Sequence, residues 1–469
     1  MALRSGCSKR ASWIEPYSGA ERVGMNKTEQ NAPRPLPPPH VAWLVEVLAA
    51  AGFAACPVGG CVRDSLLGRT PQDWDVCTQA LPQQVKRCFA GLCPVADTGL
   101  AHGTVTVVVR GCPVEVTTWR AESGYSDHRH PDTVRFVGDL RADLARRDFT
   151  INAMALTAKG IADPFGGQKD LAAGLVRCVG RPRQRFAEDA LRILRALRFA
   201  ACLDFTIEPD TLAAARQAAP TLRYVAAERV FSELQKLLCG PGAGRVLAEY
   251  GELLAPVLPG VERCLQKGGE GHWAQIAHAV GASPPSAQAR WAALLWGLAQ
   301  RAAAPGLSQG QAEGGQQDAA ARFAKTALQT LKAPAALQQE TADLVRWQGR
   351  PLPESLPQIR RWLGRLGLPR LQQVLAVKRA YLPAGATAEQ ARLERAEQMA
   401  QQAALRGDCV SLEQLQLKGG DLLQSGVCPP GPGVGALLRR ALEEVMDGTV
   451  PNQKAALLAW ARAQVPSDP

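Results

Sequence analysis

No run of about 18 apolar residues occurs anywhere in the chain, and the first 40 residues lack the short apolar core of a signal peptide. Neither a membrane-spanning helix nor export is indicated, so a cytoplasmic protein without a membrane partner is the expectation. The 13 cysteines are scattered, odd in number and never spaced as CxxC. That spacing argues against a zinc ribbon and against a disulfide framework, and the thiols are expected to be reduced packing residues. Histidine is scarce. Of the six present, only His128 and His130 lie close together, in a charged loop. A metal site there is weighed against plain solvated loop residues, and the plain reading is the simpler one. No internal repeat is found.

What is present is length and positive charge. At 469 residues the chain exceeds one ordinary core, and several domains are expected. Lys and Arg (54) outnumber Asp and Glu (43), for a formal charge of +11 and a pI near 9.2, which favours a polyanionic partner. Residues 1–40 are polar, end in a proline cluster and read as a disordered leader, with Met25 as an alternative start. From 41 to 160 the signals alternate: a helical stretch at Val41 to Ala51, a strand at Trp74 to Cys77, then a hairpin of Thr104 to Arg110 and Pro113 to Trp119 turning at Gly111. Beyond about residue 165 the pattern is helical nearly throughout, broken at Gly240 to Gly244, Ser283 to Pro285 and Pro383 to Gly385. Ala302 to Ala319 is low in complexity and reads as a flexible surface loop. The fold class expected is α+β, a mixed-sheet head followed by an all-α remainder.

Residues 58–76 read VGGCVRDSLLGRTPQDWDV. Gly59 and Gly60 let backbone approach a phosphate, a helix starting just after them offers unpaired amides and a positive dipole end, and Arg63 adds a cationic fork. Asp73 and Asp75 are two apart, so on a strand their carboxylates share a face opposite Trp74 and Val76 and form a hard-oxygen magnesium site. Glu115 lies between Val114 and Val116, facing away from both, and is a candidate third carboxylate of a two-metal centre. Either motif alone reads as an ordinary turn or an exposed loop. Together, GGxVRDxLLG followed by DxD closely resembles the signature of the nucleotidyltransferase superfamily, in the bacterial-type (class II) tRNA nucleotidyltransferase and poly(A) polymerase branch.

The resemblance continues in order. RRDFTINA (Arg146 to Ala153) is similar to the family's second motif, which implies that Arg147 and Asp148 engage the nucleotide sugar and phosphates and that Asn152 supports them. DPFGG (Asp163 to Gly167) is similar to the connector between head and neck, and equally reads as a Pro/Gly turn. EDALRILRALRF (Glu188 to Phe199) is the fourth motif. On a helix, Asp189, Arg192, Arg195 and Arg198 form a polar stripe beside Leu191, Leu194 and Leu197. Cytosine and adenine both offer a donating amine next to an accepting ring nitrogen, which Asp189 and Arg192 complement; uracil and guanine invert both positions. A solvated face of intrahelical Asp to Arg pairs is the plain alternative. By resemblance, Arg195 and Arg198 contact the triphosphate or backbone, and AERVFSELQKLL (Ala227 to Leu238) buttresses this helix, with Glu228 and Arg229 structural.

The resemblance implies Mg2+-dependent phosphoryl transfer, with CTP and ATP as substrates and tRNA as the partner: the RNA 3′ hydroxyl attacks the α-phosphate at a two-metal centre and pyrophosphate leaves. The segment RAESGYSDHRHPDTVRFV (Arg120 to Val137) resembles the loop that CCA-adding members use in switching from C to A, against a mobile loop with no such role. The helical sequence from His272 to Gln300 is similar to an HD phosphohydrolase domain, but RWAALL runs into Trp296 and Gly297 where a His-Asp pair is expected, so hydrolase activity is not expected. RGDCVSLEQLQLKGGDLL and GPGVGALLRRALEEVMDGTVPN, within Arg406 to Trp460, are similar to the family's tRNA-holding tail. The division expected is leader 1–40, head 41–160, neck 161–245, body 246–385 and tail 386–469. CC-only or A-only addition, a poly(A) polymerase and a non-catalytic RNA-binding relative remain as rivals, and the sequence leaves the oligomeric state open.

Overall fold

A computed structural model describes residues 36–124, 133–266, 270–302 and 314–464. The chain divides into two compact units, Met1–Ala200 with Asp204–Leu222, and Ala201–Leu203 with Arg223–Pro469. The first unit carries the sheet and the second is helical, so the α+β expectation holds.

The first unit begins with α1 (Pro39–Ala50), where Pro39 occupies the first turn and needs no hydrogen-bond partner for its nitrogen. Its Val41, Leu44, Val45 and Leu48 recur at helical spacing and are buried. Then follow β1 (Ala55–Pro57), α2 (Gly60–Leu66), β2 (Val76–Thr78), α3 (Pro82–Phe89), β3 (Val95–Gly99), β4 (Thr104–Val109) and β5 (Cys112–Thr118). The five strands form one mixed sheet in the order β1-β2-β5-β4-β3, in which only β2 and β5 run parallel. Arg110 and Gly111 make the tight turn of the expected hairpin, both with positive φ (51° and 83°).

Strand alternation gives the sheet two unlike faces. Val76, Val105, Val107, Val109, Val114 and Val116 point to one side and pack with Val41, Leu44, Leu48, Val85 and Phe89 of α1 and α3. Burying each such side chain contributes roughly 1.5–3 kcal/mol, which anchors the register from behind. On the other side Thr106 stands opposite Glu115, and Thr104 opposite Thr117 with hydroxyls 2.9 Å apart. At the β1 end this second face is covered by Cys56, Val58, Cys77, Trp119, Leu144, Ala153, Ala155 and Val179.

The unit continues with β6 (Arg120–Ser123) paired to β7 (Thr133–Phe136), α4 (Leu140–Ala145), β8 (Ala155–Thr157) paired to β9 (Gly160–Ala162), α5 (Gly167–Ala172) and β10 (Leu175–Val176). After them come α6 (Pro182–Glu188), α7 (Leu191–Leu203), β11 (Thr206–Ile207), which pairs with β10, and α8 (Pro209–Ala218). DPFGG forms the start of α5: Asp163 accepts from the N–H groups of Gly167 (2.6 Å) and Gln168 (2.8 Å), so the turn reading of that motif holds.

The second unit comprises α9 (Ala227–Cys239), α10 (Ala243–Tyr250), α11 (Val261–Leu265), α12 (Glu270–Ala282), α13 (Ala287–Ala302), α14 (Gly314–Thr330), α15 (Ala335–Gln348), α16 (Leu356–Ala380), α17 (Thr387–Leu405), α18 (Gly419–Gln424), α19 (Pro432–Asp447) and α20 (Lys454–Gln464). The breaks expected at 240–244, 283–285 and 383–385 separate helices, although Gly244 itself lies inside α10. The low-complexity stretch is corrected in part: 303–313 lie outside the described residues, but 314–319 belong to α14, because the glutamines and alanines that follow its glycines are compatible with a helix. Near the C-terminus Leu415, Leu417, Leu422, Leu437, Ala441, Leu457 and Ala461 form a separate small core.

A Cβ on Gly167 would stand 2.3 Å from the carbonyl oxygen of Thr150 and 2.9 Å from Met154 Cγ, so α5 packs directly on the backbone that precedes Asn152. Gly167→Ala is expected to destabilise the first unit by about 1–3 kcal/mol, read as an earlier denaturant midpoint for tryptophan fluorescence; an unchanged midpoint would contradict this packing.

Candidate active site

The turn expected at Gly59 and Gly60 lies between β1 and α2. Gly59 adopts φ 82°, its N–H donates to the Met154 carbonyl at 3.0 Å, and a Cβ there would stand 3.0 Å from Arg147 Nη1. A side chain at this position would meet both backbone strain and the guanidinium. Gly60 is the first residue of α2, which begins two residues earlier than the start near Val62 suggested by the sequence.

The strand expected at Trp74 to Cys77 is also shifted. β2 begins at Val76, so Asp73 and Asp75 stand in the chain leading into it. Asp75 nevertheless keeps the ladder going by one step, because its carbonyl accepts the Val58 N–H at 2.9 Å. The parallel pairing of Val76 with Val116 then sets Asp75 abreast of Glu115, both turned away from the buried valines. Strand geometry does not extend to Asp73, whose shared face with Asp75 therefore does not follow from a strand; the two carboxylates still interact electrostatically. Asp75 as a residue is exposed, yet partial desolvation of its carboxyl group, the negative charge of Glu115 and that of Asp73 raise its pKa, while Arg147 opposes them.

That excess of negative charge is the test of a cation. Among the described residues no three or more His, Cys, Asp and Glu side chains converge closely enough to hold a metal, so Asp73, Asp75 and Glu115 do not close into a three-carboxylate cage. An open pair of carboxylates fits a small hard dication, which keeps several waters and takes one or two protein carboxylates together with substrate phosphates.

Beside the carboxylates lies a network of arginines. Arg63 makes two hydrogen bonds to Asp64 (2.8 and 2.9 Å) and donates from Nη1 to Asn152 Oδ1 at 2.6 Å. Asn152 Nδ2 reaches Asp148 at 3.4 Å, and Asp148 accepts from the Phe149 N–H (2.8 Å) and from Arg195 Nε (2.7 Å). Burial would push the Asp148 carboxyl up, but the charge and hydrogen bonds of Arg195 and the Phe149 amide bring it down to about 2. RRDFTINA thus forms a bend after α4 and a single helical turn at Thr150–Asn152, and it brings Arg147, Asp148 and Asn152 together with Arg63 and Arg195. The guanidinium groups of Arg63, Arg195 and Arg198 lie 5.2, 5.5 and 4.1 Å from the Phe199 ring centre, a local concentration of positive charge suited to an anion.

The single helix expected for Glu188 to Phe199 is two helices. α6 ends at Glu188, Asp189 is extended (φ −149°, ψ 106°), and α7 begins at Leu191. The Asp189 carboxylate accepts the Leu191 N–H at 3.0 Å and so stabilises the start of α7. An aspartate that competes with helical backbone in this way favours a helix end over a helix interior. The three-residue stripe survives for Arg192, Arg195 and Arg198, while the Asp189 carbonyl accepts the Arg192 N–H at 3.0 Å across the break.

Several residues that hold the site were not singled out in the sequence. Asp143 is fully buried and accepts from Arg146 (2.7 Å) and Arg147 (3.2 Å); the charge of these partners outweighs burial and keeps its pKa low. Glu188 accepts from Arg185 (2.6 Å) and from Arg192 Nη1 (2.5 Å), and Arg192 also reaches the Arg185 carbonyl at 3.0 Å. The acid to base spacings of three and four residues were visible on the page; the burial that makes them matter was not. His128 and His130 lie outside the described residues, as do 125–132 of the loop-like segment, whose flanks pair as β6 and β7. A ring nitrogen of His272 lies 2.8 Å from the Gly297 carbonyl oxygen, and His278 is exposed.

Residues 56–177 match the family described as "Poly A polymerase head domain", 204–265 that described as "Probable RNA and SrmB-binding site of polymerase A", and 319–461 the second domain of tRNA nucleotidyltransferases. The chain is 36% identical over 424 residues to the CCA-adding enzyme of Lactiplantibacillus plantarum, spanning 89% of this chain and 94% of that one. It is 35% identical to the CCA-adding enzyme of Geobacillus stearothermophilus, with 89% and 95% covered. Among solved structures, the Bacillus stearothermophilus CCA-adding enzyme in complex with CTP superposes with a TM-score of 0.71 at 31% identity, covering 92% of this chain and 98% of that one.

Asp148 has a lower pKa folded than unfolded, so the stability it contributes is present above about pH 4 and is lost as pH falls toward 2. Its share is on the order of 2 kcal/mol. Denaturant melts of wild type at pH 5 and pH 3 are expected to diverge more than those of Asp148→Asn; equal divergence would contradict the ionised pairing with Arg195.

Proposed function

Because the chain belongs to the bacterial-type tRNA nucleotidyltransferases of the CCA-adding kind, we propose that the residues assembled in its first unit carry the addition of C, C and A to the 3′ end of tRNA from CTP and ATP. The observation that carries this reading is the placement, within one unit, of Asp75 and Glu115 abreast beside the Gly59 turn and the Arg63, Asn152, Asp148 and Arg195 network. The rival of a retired, purely RNA-binding relative leaves that convergence without a purpose.

The family uses divalent metal ions, and we assign the ion here to magnesium, held by Asp73 and Asp75 with Glu115 as a further carboxylate beside them. Such an ion supplies Lewis-acid activation and neutralises phosphate charge. The chain's own part is positioning. The Gly59 and Gly60 backbone gives a phosphate close access, and Arg63, Arg195 and Arg198 balance the triphosphate. Arg147 and Asp148 hold the sugar and its phosphates with Asn152 in support, and Asp143 in turn fixes Arg147. The RNA 3′ oxygen forms a bond to the α-phosphorus as the bond to the leaving pyrophosphate breaks, with no covalent enzyme intermediate.

Base choice is assigned to Asp189 and Arg192. Asp189 accepts from the exocyclic amine shared by C and A, and Arg192 donates to the adjoining ring nitrogen, whereas U and G present the inverse pattern. The Glu188 carboxylate supports this reading by holding Arg192 in place. We assign residues 41–160 as head, 161–245 as neck, 246–385 as body and 386–469 as tail, the last three serving nucleotide and RNA binding. No helix among the described residues is long and apolar enough to cross a membrane, and we propose the cytoplasm as the place of action.

Protein and magnesium incubated with tRNA transcripts ending before CCA, with CTP, ATP or both, are expected to give two added C from CTP alone and one further A with both, as read by sequencing. A stop at CC, or an open A tail, would replace this assignment by a CC-adder or a poly(A) polymerase, and no addition would favour the binding relative. In Asp73→Ala turnover is expected to fall by roughly three orders of magnitude with RNA affinity retained. Exchanging Asp189 or Arg192 is expected to raise misincorporation of U or G roughly ten- to hundredfold before chemistry is lost; unchanged base preference in both variants would remove them from base reading.

A further inference from the structure

We infer that Tyr224 and Arg223, at the entry to α9, form a stacking platform for one nucleobase of the RNA and its adjoining phosphate, an inference that rests on tRNA being the substrate. Tyr224 is 68% exposed, an unusual state for an aromatic side chain that would ordinarily be buried at least in part. Its ring is not loose. The Arg223 guanidinium lies over one face, 4.7 Å from the ring centre, and Nη2 donates to the tyrosine hydroxyl at 2.6 Å. Leu222, just before them in the chain, is fully buried. One ring face is therefore covered and the hydroxyl tethered, which holds the other face toward solvent before any ligand arrives and lowers the ordering cost of stacking on it.

The charge beside the ring points to the same occupant. Among the described residues no carboxylate pairs with Arg223, so its positive charge is uncompensated next to an open aromatic face. An apolar protein partner has no need of that cation. A nucleotide needs both parts: a π face for the base and a donor for the phosphate, and unpaired RNA bases are commonly held on aromatic rings and guanidinium planes. The two residues also fall within 204–265, the segment that matches a family described as a probable RNA-binding site.

The test uses the full chain and a tRNA transcript ending before CCA. Tyr224→Ala is expected to weaken RNA affinity, and to raise KM for tRNA, roughly tenfold, with KM for CTP and the melting temperature unchanged because the ring is exposed. Tyr224→Phe, which keeps the π face, is expected to stay within about threefold of wild type. Arg223→Ala is expected to lower the slope of log affinity against log salt by roughly one, whereas Tyr224→Ala leaves that slope unaltered. Unchanged RNA affinity in Tyr224→Ala, while wild type extends the transcript normally, would overturn the platform and leave the function standing. A wild type that extends no tRNA would instead remove the premise.

Discussion

Asp148 is a carboxylate at 8% exposure that must stay ionised, and everything around it is arranged to make that possible. Burying an unpaired charge is prohibitive, so the chain supplies two donors from its own turn, the Phe149 amide and the Asn152 side chain, and a third from α7 through Arg195. Arg195 comes from a distant stretch of sequence. Satisfying one carboxylate therefore fastens the RRDFTINA turn to α7, and through Asn152 and Arg63 it reaches α2 and the glycine turn. Arg63, Asn152, Asp148 and Arg195 thereby form one connected polar network around a single buried charge.

The same logic repeats at Asp143 and Glu188. Each is a buried carboxylate facing two arginines, Arg146 and Arg147 in the first case and Arg185 and Arg192 in the second. A guanidinium has more donors than one carboxylate consumes, so a carboxylate on one side orients the fork. The break between α6 and α7 belongs to this scheme, since ending one helix and starting another lets the Asp189 carboxylate cap α7 and stand within a turn of Arg192.

In the second unit, the stretch in which a His-Asp pair was sought in the sequence is a packed helix. RWAALL lies on α13, with Trp291, Ala292, Ala293, Leu294 and Leu295 all buried, and Gly297 provides a carbonyl to His272.

Much of the site was legible in the sequence because it rests on residue chemistry at short spacing. A glycine pair before a helix, two aspartates flanking a tryptophan, a glutamate between two valines and the Arg–Arg–Asp run each have few uses, and their order along the chain resembles one family. Alternation placed Glu115 opposite its valines, as the sheet requires. What spacing could not supply was register and burial. β2 starts at Val76 because the ladder with β1 and β5 begins there, which set Asp73 outside the strand. The helix expected across Glu188 to Phe199 breaks because the Asp189 carboxylate binds the Leu191 amide, a local choice that an uninterrupted polar stripe hides. Asp143 and Glu188 were not singled out in the sequence, because only the packed interior buries them beside their arginines. Sequence by itself determined which groups are candidates for the chemistry; tertiary structure decided which of them are buried, because a charge acquires its strength from the solvent that packing removes.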